Sequence, residues 1–241
     1  MENTVTLSLK EMAQNAVHFG HPIARWNPKM KPYLYGERNG IHIFDLHKTT
    51  ECLIRALSYL QETISKNQTI LFVGTKQQAR KTLEEIHTEA QMPIVVNKWM
   101  PGLLTNFRTL KQRIDYFVKT KESLATGAFD KFTKKEQMAK QKEIQFLENA
   151  FSGVQSMKDL PDVVFVADIV RDQIAVKEAR RLKIPVVAIV DSNADPDLAS
   201  YVIPANDDAL KSVNYILGLV KQAITGNKKK KSVIDPPDQE V

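Results

Sequence analysis

Four short apolar runs constrain this chain more than any other feature: ILFVG at 70–74, MPIVV at 92–96, PDVVFVAD at 161–168 and PVVAIVD at 185–191. Each is too short for a buried helix, and Gly, Pro or Asp bounds most of them. Between them lie stretches with helical spacing, TKQQARKTLEEIHTEA at 75–90 and DQIAVKEARRL at 172–182. Strands apolar on both faces, alternating with amphipathic helices, read as βαβ units. They predict a parallel sheet covered on both sides. Around this frame the spacing predicts a short helix over 8–17, a strand over 41–46, an edge strand YVIP at 201–204 and a closing helix over 207–225 ended by Gly226. A further helix starts near Thr49 or Thr50 as cap, with Cys52, Leu53, Ala56, Leu57, Leu60 and Ile64 on one face. The fold class is α/β, with a parallel sheet of Rossmann/flavodoxin-like kind.

The alternation stops at Trp99. From 105 to 153 the chain is polar and helical in period, with Phe107, Leu110, Ile114, Phe117 and Val118 first, and Met138, Ile144, Leu147 and Phe151 after a break at TGAFD, 126–130. Two helices joined by a short loop make an antiparallel hairpin. It is a short coiled-coil-like pair in which no strict heptad persists. Because strands resume after it, the hairpin is an insertion. We divide the chain into a discontinuous sheet domain (1–102 and 154–225), a helical hairpin (103–153) and a Lys-rich tail (226–241) of flexible composition.

A second kind of information lies in residues 17–49. This stretch mixes cations, aromatics, prolines and glycines without a sustained apolar face. It reads as irregular, too polar for a core strand, and anchored by Phe19, Trp26, Tyr33, Tyr35 and Phe44. Ordered basic and aromatic surface suits RNA, with cations for phosphates and flat groups for exposed bases. Arg25, Trp26, Asn27, Lys29, Lys31 and Arg38 are the candidates here. Trp99, Asn106, Arg108, Lys111 and Arg113 are candidates where the sheet meets the hairpin, and Thr105 or Asn106 can also cap the helix there. The competing reading of both places is plain scaffolding. A net charge of +6 permits a polyanionic partner without requiring one. KKKK at 228–231 is the densest cation run, and Asp235, Asp238 and Glu240 offset much of it.

Chemistry-bearing residues are present but form no catalytic signature. Lys76 follows Gly74 between a strand and a helix, yet the sequence lacks GxxxxGK[ST] and GxGxxG, so no nucleotide cofactor is expected. Lys76 can still touch an RNA phosphate. Asp168, Asp191, Asp195, Asp197, Asp207 and Asp208 follow strands or open a helix, where α/β enzymes place their chemistry and where Asp also caps helices and turns. A phosphotransferase or hydrolase using Lys76 and these aspartates is one alternative. A protein-interaction module working through the hairpin is another. His18 and His21 are spaced to reach one metal, and DSNADPD can hold a cation, but no metal is assigned. No apolar run approaches the roughly 20 residues that cross a bilayer, and the start lacks a secretory pattern. The single Cys52 has no internal partner and suits a reducing compartment.

Taken together, VHFGH, RWNPKMKPYLYGERNGIHIFDLHKT, ILFVGTKQQA, WMPGLLTNF, LPDVVFVADIVRDQIAVKEARRLKIPVVAIVDSNADPD and IPANDDALKS resemble the bacterial and organellar small-subunit ribosomal protein two family. The resemblance runs in register from about residue 8 to 222. It implies an α/β sheet domain with an inserted helical hairpin and no catalysis. It further implies late docking on the small ribosomal subunit between head and body, binding of ribosomal RNA, and contact with the large first protein of that subunit. No membrane or small-molecule partner is implied, and the location is the ribosome, in the cytoplasm or an organelle. By position, the stretch from Arg25 through Met30 would face RNA or a partner, and Trp99, Thr105, Asn106 and Arg108 would sit at the domain junction. The chain departs from the usual Arg-Trp and two glycines with Lys98-Trp99 and Met100-Pro101-Gly102. It also carries Ser192 and Ala194 where Thr and Cys are usual.

Overall fold

The computed structural model describes residues 8–126 and 133–231. It begins with α1 (Leu9–Gln14), capped by the Ser8 hydroxyl, which accepts from the Glu11 N–H. Three strands follow, β1 (Phe19–Pro22), β2 (Leu34–Arg38) and β3 (Ile41–Phe44), forming a small antiparallel sheet in the order β1-β3-β2. Next come α2 (Leu46–Ser65), β4 (Ile70–Val73), α3 (Gln77–Ala90) and β5 (Ile94–Val95). Two long helices, α4 (Phe107–Ala125) and α5 (Lys134–Phe151), precede β6 (Val163–Val166), α6 (Gln173–Arg181), β7 (Val186–Val190), β8 (Tyr201–Pro204) and α7 (Leu210–Lys231).

The five later strands pair in parallel in the order β5-β4-β6-β7-β8. The chain steps from β4 outward to β5 and then returns to the other side of β4. This is the flavodoxin-type order, and its reversal places a topological switch point between β4 and β6. Successive residues of each strand point to opposite faces, so the sheet feeds two cores. Ile70, Phe72, Val163, Phe165, Val187 and Ile189 pack with α2, α3 and α7. Leu71, Val73, Val164, Val166, Ala188 and Val190 pack with α6 and the base of the long helices. Leu110, Ile114 and Phe117 of α4 and Ile144, Leu147 and Phe151 of α5 belong to that second core. The hairpin therefore shares a continuous apolar interior with the sheet rather than merely projecting from it.

Four expectations need correction. Residues 17–49 are not wholly irregular outside the expected strand at 41–46, seen as β3, because they also contain β1 and β2. These strands are short and largely exposed, and a bulge falls between Leu34 and Gly36, so they carry little alternation to read. Anchoring also differs: Phe44 is buried, but Phe19 is 42 % and Tyr35 82 % exposed, while Met30 and Val17 are completely buried. The second helix opens earlier than Thr49. Asp45 caps it by accepting from the His47 N–H, and the Thr49 hydroxyl instead donates to the Pro204 carbonyl at 2.8 Å. Finally, α7 continues through Gly226 to Lys231. Most of TGAFD, after Thr126, and the tail from 232 onward lie outside the described residues.

The Phe165 ring is fully buried in the central strand β6, its centroid 5.4 Å from that of Phe72. Phe165→Ala is expected to cost about 3–5 kcal/mol, while Tyr35→Ala costs under about 0.5 kcal/mol. Denaturant unfolding should show the first as a lowered midpoint at unchanged slope.

Candidate nucleic-acid interface

The carboxyl ends of the parallel strands meet at a buried ionic cluster. β4 ends in Gly74, where a Cβ would lie 2.6 Å from Leu83 Cδ1, so the turn into α3 passes close over that helix. This places Lys76 at the switch point. Its Nζ lies 2.7 Å from oxygens of Asp168, Asp207 and Asp208. Asp168 follows β6 by two residues and accepts from the Val170 and Arg171 N–H groups. Asp207 and Asp208 lie in the turn before α7, where the Asn206 side-chain oxygen accepts from the N–H groups of Asp208 and Ala209. Asp172 closes the adjoining side by accepting from the Thr75 N–H and hydroxyl.

Charge dictates the ionisation of the cluster. Burial works against the charged form of Lys76, but hydrogen bonds to Asp168 and Asp207 outweigh it and raise the pKa. Asp207 moves the other way for a carboxyl. Burial, with the neighbouring charges of Asp191 and Asp168, pushes it up to about 7. His21 is raised through its hydrogen bond to Asp191. Its Nδ1 is 3.1 Å from Asp191 and its Nε2 3.2 Å from Asp208.

The basic N-terminal segment is laid over this cluster. The Ser192 hydroxyl accepts from the His21 N–H, and the Ser192 carbonyl from the Asn27 N–H, both at 2.7 Å. A Cβ on Gly20 would lie 2.7 Å from Ser192 Oγ, so only glycine lets β1 approach this closely. Asn27 caps the following 3-10 turn by accepting from the Lys29 N–H. Trp26 packs on His42, with centroids 5.0 Å apart.

The junction with the hairpin is organised by one carboxylate. Glu178 of α6 accepts from Trp99 Nε1, the N–H groups of Gly102, Leu104 and Thr105, and the Thr105 hydroxyl, at 2.7–3.2 Å. Burial opposes its charge, but these donors outweigh burial and hold the carboxyl below its usual range.

The candidate RNA residues therefore fall into distinct environments. Arg25, Lys31 and Arg38 are exposed on the N-terminal segment, and Asn106, Arg108 and Arg113 are exposed at the start of α4. Trp26 and Asn27 are half-buried. Lys111 is half-buried and pairs with Asp115 at 3.1 Å. Lys29 is bound by Asp195 and Asp197 at 2.8 and 2.7 Å. Lys76 is enclosed by three carboxylates, and Trp99 is 5 % exposed with its N–H committed. Lys76 and Trp99 thus hold buried bonds, and Lys29 an exposed pair of ion contacts, that sequence spacing could not show. Asn106 sits at the N-cap of α4 without a side-chain cap bond. His21 is engaged by Asp191 and Asp208, while the His18 ring lies against Phe19. One ligand atom each from His21, Asp191 and Asp207 lies within 4.8 Å of the others, close enough to share a cation. Sequence reading missed Glu178, whose place among helical charges gives no sign of its five donors.

Glu178→Ala would leave buried donors without an acceptor and cost about 3 kcal/mol. Hydrogen exchange at Gly102, Leu104 and Thr105 should accelerate. For Asp207, the folded carboxyl keeps its proton to higher pH than the unfolded one, whose pKa is about 4. Its contribution to stability must fall as pH rises from about 4 to about 7. Unfolding in EDTA, compared with Asp207→Asn, should show the wild-type advantage shrinking across that window and levelling above it.

Comparison with known proteins identifies the family. A family model described as ribosomal protein S2 matches residues 12–226. The chain is 42 % identical over 228 residues to small ribosomal subunit protein uS2 of Roseiflexus castenholzii, covering 94 % of this chain and 87 % of that protein. It is 45 % identical over 220 residues to the uS2 of Dictyoglomus thermophilum, covering 91 % and 89 %. The uS2 of Coprothermobacter proteolyticus is 45 % identical over 221 residues, covering 90 % and 81 %. With its flavodoxin-type sheet and its switch point filled by an internal ionic cluster, the chain belongs to the ribosomal protein S2 family, whose members are structural ribosomal proteins and not enzymes.

Proposed function

We propose that this protein binds the RNA of the small ribosomal subunit between head and body and helps dock the first small-subunit protein there. The observation that carries the reading is a set of exposed cations on rigidly pinned backbone. Arg25, Lys31 and Arg38 on the N-terminal segment, and Arg108 and Arg113 on α4, are exposed with no described carboxylate within 4.0 Å. Unpaired cations at fixed positions suit phosphates, and each phosphate contact releases counterions. The sheet domain (1–102 and 154–225) supplies the platform, and the hairpin (103–153) extends from the same core. Lys29, Lys76 and Trp99 serve by holding that platform in shape. The relatives are named as small-subunit proteins, which supports the ribosome as the location, cytoplasmic for a bacterial chain.

Small subunits washed free of the protein at high salt give the test. Arg25→Ala with Lys31→Ala should weaken rebinding and lower the slope of log affinity against log salt by about 1.4–1.8, for two contacts. The thermal transition should not move. An unchanged slope would count against phosphate contact by this segment.

A further inference from the structure

Several cations on the sheet's other helices are answered by nearby acids. Lys48 of α2, Lys66 just after it, Arg80 of α3 and Lys221 of α7 each lie within 4.0 Å of a carboxylate, while Arg55, Lys81 and Lys211, scattered one to a helix, have no described carboxylate that close. α6 differs. Arg171 just before it, Lys177, Arg180 and Arg181 along it and Lys183 just after it are all exposed. No described carboxylate lies within 4.0 Å of any of the five. Their side-chain hydrogen bonds go to neutral groups, Arg171 Nε to Thr75 Oγ1 and Lys177 Nζ to Gln173 Oε1. The two acids of this segment are turned inward: Asp172 is 3 % and Glu178 8 % exposed, and both are engaged as described. Asp195 feels the charge of Arg180, but Lys29 already binds it.

Helix electrostatics explains part of this only. Cations are favoured in the last turn, which suits Arg180 and Arg181. Arg171 stands at the opposite end, where the dipole disfavours it. Lys177 and Arg181, four residues apart, stack along one outward stripe. The exposed apolar neighbours, Val170 and Ile174, at 45 % and 47 %, offer no ring for stacking on a base. Such a face suits a phosphate backbone rather than base edges. It is also tied to the hairpin junction, because Glu178 on the buried side of the same helix holds Gly102, Leu104 and Thr105.

We propose that the outer face of α6 is a second RNA-phosphate surface, built from Arg171, Lys177, Arg181 and Lys183 and fixed relative to Arg108 through Glu178. This rests on the RNA-binding reading above. The test uses the full chain and small subunits washed free of it. Lys177→Gln with Arg181→Gln keeps good helix formers and should lower affinity several-fold. It should also reduce the salt slope by about 1.4–1.8, with the thermal transition unchanged. An iron chelate tethered at Arg181→Cys, in a Cys52→Ser background, should cleave subunit RNA beside the helix. An unchanged slope for the α6 pair, while the Arg25 and Lys31 pair loses slope, would overturn this inference and leave the RNA reading standing. Unchanged slopes for both pairs would overturn both. Weakened binding without RNA cleavage would assign the face to an acidic protein surface and overturn the inference as well.

Discussion

A single ammonium at the switch point sets what the rest of the molecule can be. Lys76 joins Asp168, Asp207 and Asp208, and so links the ends of β4 and β6 to the turn that starts α7. In doubly wound sheets this crevice is where a ligand enters. Here side chains of the protein fill it, and β1 with its flanking turns lies across the top. Burial first, and then the surplus of carboxylates around one lysine, make Asp207 resist ionisation. The catalytic geometry of the fold class has become structural, and the proposed RNA binding is left to the cations outside.

The second organising group, Glu178, works on a different scale. One carboxylate with five donors converts a polar connection between sheet and hairpin into a fixed joint. The apolar core then runs through that joint without interruption, from Val164 and Ala188 to Phe117 and Ile144. Cations on α4 and cations on α6 are consequently held at a constant separation. On the proposed RNA-binding role, an RNA whose phosphates match that spacing would bind without the protein having to be ordered first.

The sheet was legible because its strands are buried on both faces and read as unbroken apolar runs. The hairpin was legible through its 3.6-residue period and its position between strands. Of the small N-terminal sheet only β3 was legible, through its alternation, since the exposed residues of β1 and β2 and the bulge leave no such pattern. The candidate site was legible as a composition of cations and aromatics, but not as geometry. Whether a lysine is free depends on residues far away in sequence: Lys29 meets Asp195 and Lys76 meets Asp207 only after folding. Trp99 reads like a stacking platform until its N–H is seen to meet Glu178.

The docking of residue 21 onto residue 192 also has a consequence in time. The hydrogen bond from the His21 N–H to the Ser192 hydroxyl spans 171 positions. During synthesis at 5–20 residues per second, the N-terminal segment waits roughly 10–35 s for its partner loop to emerge. Until then its arginines and lysines are tethered to a chain that cannot yet fix their positions. The nascent protein is thus basic from the start, but the surface proposed to meet RNA takes its shape only near completion. An unfinished chain carries charge without an address, and the last strands to be made supply it.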